Sequence, residues 1–165
     1  MESESSRVPE SIRRLVTAVR QELANTPDVA FAYLFGSRIK GTARPNSDLD
    51  IAIWLTTPLG PIDAVATVDR QLDLGGQLET TLGCPVDVVL LNTAPLDLVH
   101  NVLRHGLLVY CRNEDIRHQF YVEHARQYYD LAQLRTIFDR YLLRRTEEGR
   151  LGGGGKHHTT TPARH

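Results

Sequence analysis

The sequence contains no apolar run that approaches the length of a membrane span, and its first residues, M-E-S-E-S-S, lack the apolar core of a signal peptide. Both absences argue against a membrane-spanning or secreted protein, so we expect a cytoplasmic protein without a membrane partner. Its 165 residues, of which 41% are hydrophobic and 24% charged, are sufficient for one globular domain with a substantial core.

Cysteines and excess basic residues are also scarce. The two cysteines, Cys84 and Cys111, fit no metal-binding spacing, so we expect reduced thiols. The formal net charge is -1, but the residues from Gly149 onward supply three basic residues and no acid. The remainder therefore has 16 basic and 20 acidic residues, a charge of about -4. A body of this charge offers no general basic face, so we expect no direct binding of nucleic acid.

The most informative pattern that is present is a Gly-Ser pair followed, after ten residues, by two aspartates. An apolar run ends at Gly36-Ser37, a polar loop follows, and a second apolar run opens with Asp48 and Asp50. Because successive side chains of a strand alternate between faces, these two carboxylates are expected on the same face. Paired carboxylates suit Mg²⁺, which takes a few of them together with phosphate oxygens and water.

The residues Gly36 to Lys40 fit the phosphate end of such a ligand. Gly36 has no Cβ, so a phosphate could approach its backbone closely. Ser37 adds a hydroxyl and a predicted helix N-terminus, which attracts anions. Arg38 and Lys40 are candidate charge partners, with solvated loop charges as an equally good interpretation. Together these features predict a site for a metal ion and a nucleoside triphosphate.

The spacing of apolar residues predicts eight strands and helices in all. Strands are expected at Val29–Phe35, Leu49–Leu55, Val86–Leu91 and Leu107–Tyr110, and helices at residues 11–25, from Ile62 to about Leu82, from Pro95 to about His105, and from Asn113 to Arg145. Gly75-Gly76 is expected to weaken or interrupt the second helix. This order predicts an α/β or α+β fold, with a small mixed sheet flanked by helices.

The long C-terminal helix is predicted to carry more apolar surface than one small sheet can bury. A partner protein is therefore as good an interpretation of this surface as the core. Its two apolar stripes are Tyr121, Ala125, Tyr128 and Ala132, and Leu131, Leu134, Phe138 and Tyr141. We expect a domain over residues 8–148, followed by a disordered Gly/His/Thr-rich tail over residues 149–165.

The Gly-Ser-x10-Asp-x-Asp pattern on a strand, loop and strand resembles that of the minimal nucleotidyltransferases of the polymerase-beta-like superfamily. The segment Val102–Tyr110, V-L-R-H-G-L-L-V-Y, is most similar to the MNT branch, whose members are commonly antitoxins paired with a HEPN-domain RNase. The resemblance covers roughly residues 10–145, and its specific signal lies in residues 35–55 and 86–91. It implies the nucleotidyltransferase fold with a long C-terminal helix.

The same resemblance implies a third carboxylate on a neighbouring strand. Asp87, within V-D-V-V-L-L, is the matching residue, although an isolated acid on an edge strand is the alternative. The resemblance then implies that Asp48, Asp50 and Asp87 hold Mg²⁺ and carry catalysis, with Asp87 also able to accept a proton. It further implies that ATP binds with its phosphates near Gly36, Ser37 and Arg38.

Three hypotheses follow. The first is an Mg²⁺-dependent antitoxin enzyme that transfers AMP from ATP to a tyrosine of a cognate HEPN toxin. The second keeps the chemistry but has a small-molecule acceptor such as an aminoglycoside, for which the chain has little room because such enzymes generally carry a further substrate domain. The third is an antitoxin that acts by binding alone, against which the three aspartates count.

Overall fold

A computed structural model of the chain describes residues 10–42, 44, 47–56 and 64–151. The elements follow one another as α1 (Glu10–Ala24), β1 (Val29–Phe35), α2 (Gly36–Lys40), β2 (Leu49–Leu55), α3 (Ala64–Leu82), β3 (Val86–Leu90), α4 (Leu96–His105), β4 (Leu107–Cys111) and α5 (Glu114–Leu151). Of the helices described, none combines the length and apolar character needed to cross a membrane.

The four strands form one mixed sheet in the order β3-β2-β1-β4. Strand β1 is antiparallel to β2 and to β4, whereas β2 and β3 are parallel. Parallel neighbours require a long crossover connection, and α3 lies within the one between β2 and β3. The small mixed sheet with flanking helices confirms the predicted fold class.

Each face of the sheet is covered by a different pair of helices. Buried residues of α1 and α3, including Leu23 and Leu78, pack against one face. Buried residues of α4 and the first turns of α5, including Val102 and Phe120, pack against the other. The Phe120 ring anchors α5 there, with its centroid 4.4 Å from that of Trp54. The sheet therefore has a buried core on both sides, as its continuous apolar strands require.

Strand β2 shows how this arrangement leaves room for acids. Leu49, Ile51 and Ile53 belong to the core under α1 and α3, whereas Ala52 and Trp54 belong to the opposite core. Because side chains alternate along a strand, Asp50 faces the α4 and α5 side, at the end of β2 where the strand begins. The same alternation puts Asp87 on that face, since its neighbour Val88 lies in the first core.

Two helices, α3 and α5, differ from the sequence expectation. Helix α3 runs unbroken through Gly75 and Gly76. A Cβ on Gly75 would lie 3.9 Å from Cγ2 of Val88, so this side of the helix packs closely on β3. Two glycines cost a helix roughly 1 kcal/mol each, and the burial of the neighbouring Leu74 and Leu78 outweighs that cost.

Helix α5 begins as predicted and extends further than predicted. The Asn113 side-chain oxygen accepts hydrogen bonds from the backbone N–H groups of Asp115 (2.9 Å) and Ile116 (3.1 Å), so Asn113 caps the helix at the residue where the helix was predicted to begin. The helix continues to Leu151, so residues 149–151 of the predicted tail are helical. The rest of that tail lies outside the described residues.

The chain divides into two compact units, residues 1–126 and residues 127–165. In the second unit the described residues belong to α5 alone. Here we define the α5 apolar surface, five side chains at helical spacing that are each 50–66% exposed: Leu134, Ile137, Phe138, Tyr141 and Leu142. Three members of the predicted second stripe belong to it.

Candidate active site

The backbone register brings two of the predicted aspartates together. In the parallel β2–β3 pair, Asp50 lies directly opposite Asp87. Neighbouring strands are about 4.8 Å apart, and both side chains project from the same face. Asp48 lies two residues before Asp50, in the loop that leads into β2, and is exposed. All three carboxylates therefore belong to one end of the β2–β3 pair.

The electrostatics of Asp50 show that the other two carboxylates act on it. Burial raises the pKa of Asp50 above its ordinary value, and the negative charges of Asp87 and then Asp48 raise it further. The Arg38 guanidinium acts in the opposite direction and lowers this pKa. The negative charges of Asp87 and Asp48 thus oppose the ionisation of Asp50.

This arrangement fits a divalent cation. Within the described part of the chain, no three His, Cys, Asp or Glu side chains are gathered closely enough to hold a metal ion as they stand. The three aspartates nevertheless supply hard oxygen ligands at one end of the β2–β3 pair, and the repulsion that Asp50 experiences there is what a bound Mg²⁺ would relieve. Asp48, Asp50 and Asp87 are thus the residues that would hold it.

Gly36 is needed for a reason that the sequence did not reveal. Its φ angle of 77° is in the left-handed region, and a Cβ there would lie 2.6 Å from Cγ of Asp50. The Asp50 carboxylate therefore occupies the space beside Gly36, where the sequence predicted a phosphate. Helix α2 starts at Gly36, so the predicted helix N-terminus at Ser37 is confirmed.

Arg38 reaches the loop that precedes β2. Its Nε donates a hydrogen bond to the backbone carbonyl of Ser47 at 2.8 Å, and its Nη2 donates to the same oxygen. Its Nη1 lies 3.9 Å from the Cys84 sulfur, in the segment before β3. Sequence reasoning placed Arg38 at the phosphates and missed both contacts, because no local pattern links residues this far apart.

A backbone hydrogen bond joins the beginnings of β2 and β3. The Leu49 N–H donates to the Pro85 carbonyl at 2.9 Å; Leu49 immediately precedes Asp50, and Pro85 lies two residues before Asp87. This bond is part of the parallel ladder in which Asp50 lies opposite Asp87. Pro85 suits the position immediately before β3, because proline has no N–H that would need a partner there.

The site and the fold together define a class of protein. A family model described as "Polymerase beta, Nucleotidyltransferase" matches residues 18–115. The chain belongs to this nucleotidyltransferase family. The matched residues include α2, the loop after it, β2 and β3, and so all six predicted site residues.

Two curated proteins are similar to this chain, and both are named protein adenylyltransferase MntA. The one from Shewanella oneidensis is 32% identical over 91 residues, which cover 55% of this chain and 60% of that protein. The one from Thermococcus cleftensis is 28% identical over 100 residues, which cover 61% of this chain and 94% of that protein. The chain thus matches less than two thirds of the Shewanella protein's length.

A solved structure shows a similar fold. It is a crystal structure of a toxin–antitoxin with AMP-PNP, and one of its chains superposes with a TM-score of 0.60 at 28% sequence identity. The similarity covers 77% of the present chain and 98% of that chain.

The Gly36 geometry yields a matched pair of substitutions. Gly36→Ala and Gly41→Ala both place a Cβ at a positive φ, 77° and 71°, but nothing lies within 4 Å of a Cβ at Gly41. We expect Gly41→Ala to lower the free energy of unfolding by about 1 kcal/mol, the cost of the left-handed conformation. Gly36→Ala should cost clearly more and weaken Mg²⁺ binding, since Asp50 must move. Urea denaturation measures the loss of stability, and calorimetric titration measures the loss of Mg²⁺ affinity. Equal losses in the two variants would contradict the close contact between Gly36 and Asp50.

The raised pKa of Asp50 predicts a stability that depends on pH. In metal-free protein the fold favours protonated Asp50, so its contribution is intact below the ordinary value of 3.8 and is lost as pH rises through the raised pKa. Asp50→Asn should therefore be more stable than wild type at pH 7 in EDTA, and the difference should vanish near pH 3. Saturating Mg²⁺ should reverse the order. Urea denaturation gives the measurement, with the exposed Asp73→Asn as the control; a less stable Asp50→Asn protein at pH 7 in EDTA would refute it.

Proposed function

We infer that this chain is an Mg²⁺-dependent nucleotidyltransferase that transfers AMP from ATP to a tyrosine hydroxyl of a cognate HEPN-type RNase, and that it acts as the antitoxin of that RNase in the cytoplasm. The observation that carries the inference is the register of Asp50 opposite Asp87 in the β2–β3 pair, with Gly36 closed against Asp50. The adenylyltransferase names of the two curated relatives support AMP as the transferred group.

The reaction is an in-line displacement at the α-phosphorus of ATP. The tyrosine oxygen forms the new bond to phosphorus, the bond to the oxygen that bridges to the β-phosphate breaks, and pyrophosphate leaves. When bound, Mg²⁺ supplies charge neutralisation and polarisation of the phosphate oxygens. Asp48 and Asp50 would hold the cation, and Asp87 would help to hold it and would accept the tyrosine proton.

The nucleotide is placed by the segment that begins at Gly36. Ser37 supplies a hydroxyl and a backbone N–H at the start of α2, where anions are favoured. The small residue Gly36 lets Asp50 lie against the backbone beside this position, so that cation and phosphates can meet. The AMP-PNP in the similar toxin–antitoxin crystal supports a nucleotide with an adenine base.

A protein acceptor accounts for the α5 apolar surface. Five large apolar side chains, each at least half exposed, are a costly feature for a helix in water. A helical partner could bury them by ordinary helix-on-helix packing. The acidic body argues against a nucleic acid as acceptor. That the similar crystal structure contains a toxin–antitoxin pair supports a toxin as the partner.

The two rival functions each explain less. A small-molecule acceptor leaves the α5 apolar surface without a role. An antitoxin that acts by binding alone leaves the crowding of three carboxylates without a role, although the crowding opposes the ionisation of Asp50.

The first functional prediction concerns the group that is transferred. Purified protein with Mg²⁺, the partner RNase and ATP labelled at the α-phosphate should give a labelled partner, whereas label at the γ-phosphate should not transfer. Asp48→Asn, Asp50→Asn and Asp87→Asn should each remove most of the transfer, because each loses a metal ligand, while the proteins remain folded.

Intact-mass analysis of the partner separates the rival functions. Co-expression with wild type should add AMP units to the partner, and co-expression with an Asp48→Asn/Asp50→Asn protein should not. Neutralised RNase with no added mass in either case would support binding alone. Transfer of the γ-label would show a kinase and overturn the proposal.

The second functional prediction concerns docking. Leu134→Asp/Phe138→Asp should weaken partner binding at least about a hundredfold, since buried apolar anchors dominate such interfaces. Gln133→Asp, which adds a charge at an exposed position of the same turn, is the control and should bind as wild type does. Pull-down and calorimetry with the partner RNase measure the effect. Equal binding by all three proteins would place the docking surface elsewhere.

A further inference from the structure

We propose that Arg38 is a positioning residue that fixes the backbone on the N-terminal side of Asp48, and that it is not a phosphate ligand. The proposal rests on the metal site of the proposed function and adds to it a residue that acts through Asp48. It depends on the contacts of one guanidinium and on where these contacts lie relative to the aspartates.

The nitrogens of the Arg38 guanidinium contact other groups of the protein. Both Nε (2.8 Å) and Nη2 donate to the Ser47 carbonyl oxygen, and Nη1 points to the Cys84 sulfur at 3.9 Å. These contacts occupy three nitrogens of the planar group, and they hold it between the segments that enter β2 and β3. A phosphate ligand would instead present the paired donors of its fork to the anion.

The Ser47 carbonyl belongs to the peptide bond that joins Ser47 to Asp48. Arg38 thus holds the peptide plane immediately before Asp48. On the other side of Asp48, the Leu49 N–H is held by the Pro85 carbonyl at 2.9 Å. Asp48 itself is exposed and precedes the strand, so these two flanking bonds are what fixes its backbone.

Asp50 is held by other means and should depend less on Arg38. It lies within β2, in register with Phe35 of β1 and Asp87 of β3, and its carboxylate is packed against Gly36. Loss of Arg38 should therefore move Asp48 while leaving the β2–β3 register in place. Residues that orient metal ligands typically affect metal affinity by 10–100-fold.

The test uses Arg38→Lys and Arg38→Gln, with Arg44→Gln as the matched control. Arg44 carries a charge in the same loop and bonds to Ser47 through its backbone. Its N–H donates to the Ser47 hydroxyl and its carbonyl accepts from the Ser47 N–H at 3.0 Å, so Arg44→Gln keeps both bonds. Lysine retains the charge of Arg38 but has no fork with which to make two bonds to one carbonyl. Two measurements on the metal-free protein, exchange of the Leu49 amide and titration with Mg²⁺ alone, need no nucleotide or partner.

We expect both Arg38 variants to lose the paired bonds to the Ser47 carbonyl and therefore to change in the same direction. Exchange of the Leu49 amide should be roughly tenfold faster, from the loss of a charge-assisted anchor beside it, and Mg²⁺ affinity should fall at least about tenfold. Arg44→Gln should match wild type in both measurements. Thermal unfolding should show that all the variants remain folded.

Two results would overturn the proposal. One is wild-type exchange and Mg²⁺ affinity in both Arg38 variants. The other is rescue by Arg38→Lys combined with a raised KM for ATP in Arg38→Gln, which is the behaviour of a charge that contacts phosphate. If wild type transferred no AMP but the Arg38 variants lost Mg²⁺ affinity, the proposed function would fail and the positioning role would stand.

Discussion

Three carboxylates of like charge are held at one end of the parallel β2–β3 pair, and the local structure is arranged around their repulsion. The register of the parallel β2–β3 pair sets Asp50 opposite Asp87. The register is in turn fixed by apolar neighbours, since Ile51 and Ile53 of β2 and Val88 and Leu90 of β3 are buried under α1 and α3. A slip of one residue would turn the aspartates into that core, where an unpaired charge is very costly. The core thus holds the site in an arrangement that its own charges oppose.

The groups around the aspartates divide this task between them. Gly36 leaves the space that the Asp50 carboxylate fills, and Arg38 offsets part of the negative charge while it holds the Ser47 carbonyl. The single positive charge of Arg38 offsets only part of the negative charge of the three carboxylates, so this end of the sheet keeps an excess of negative charge. That excess is a reason for a divalent ion to bind here, and it explains why a body with an overall acidic charge could still take a triphosphate when the ion accompanies it.

Much of this could be predicted from the sequence because the decisive patterns are local. The end of β1 follows from an apolar run that stops at Phe35, and the start of β2 follows from a second apolar run that opens at Leu49. The start of α5 follows from Asn113 ahead of two acids. What could not be predicted depends on packing between distant segments. The continuity of α3 through Gly75 and Gly76 depends on contact with β3, and the contacts of Arg38 join it to residues 9 and 46 positions away. The role of Gly36 was predicted in kind, as a close approach, but the approaching group is Asp50.

The α5 apolar surface and the aspartates make different demands, and together they are the reason for proposing an enzyme with a protein acceptor rather than a binding module. A module that acts by docking alone would need only the surface on α5, and aspartates that repel one another would reduce its stability without improving its affinity. An enzyme for a small acceptor would need the aspartates and a pocket for that molecule. An enzyme that first docks its acceptor needs little pocket, because docking raises the local concentration of the reacting hydroxyl and replaces binding at the reacting group itself. This chain combines a crowded carboxylate site with a helix that exposes apolar residues. An enzyme that docks a protein acceptor would require both features.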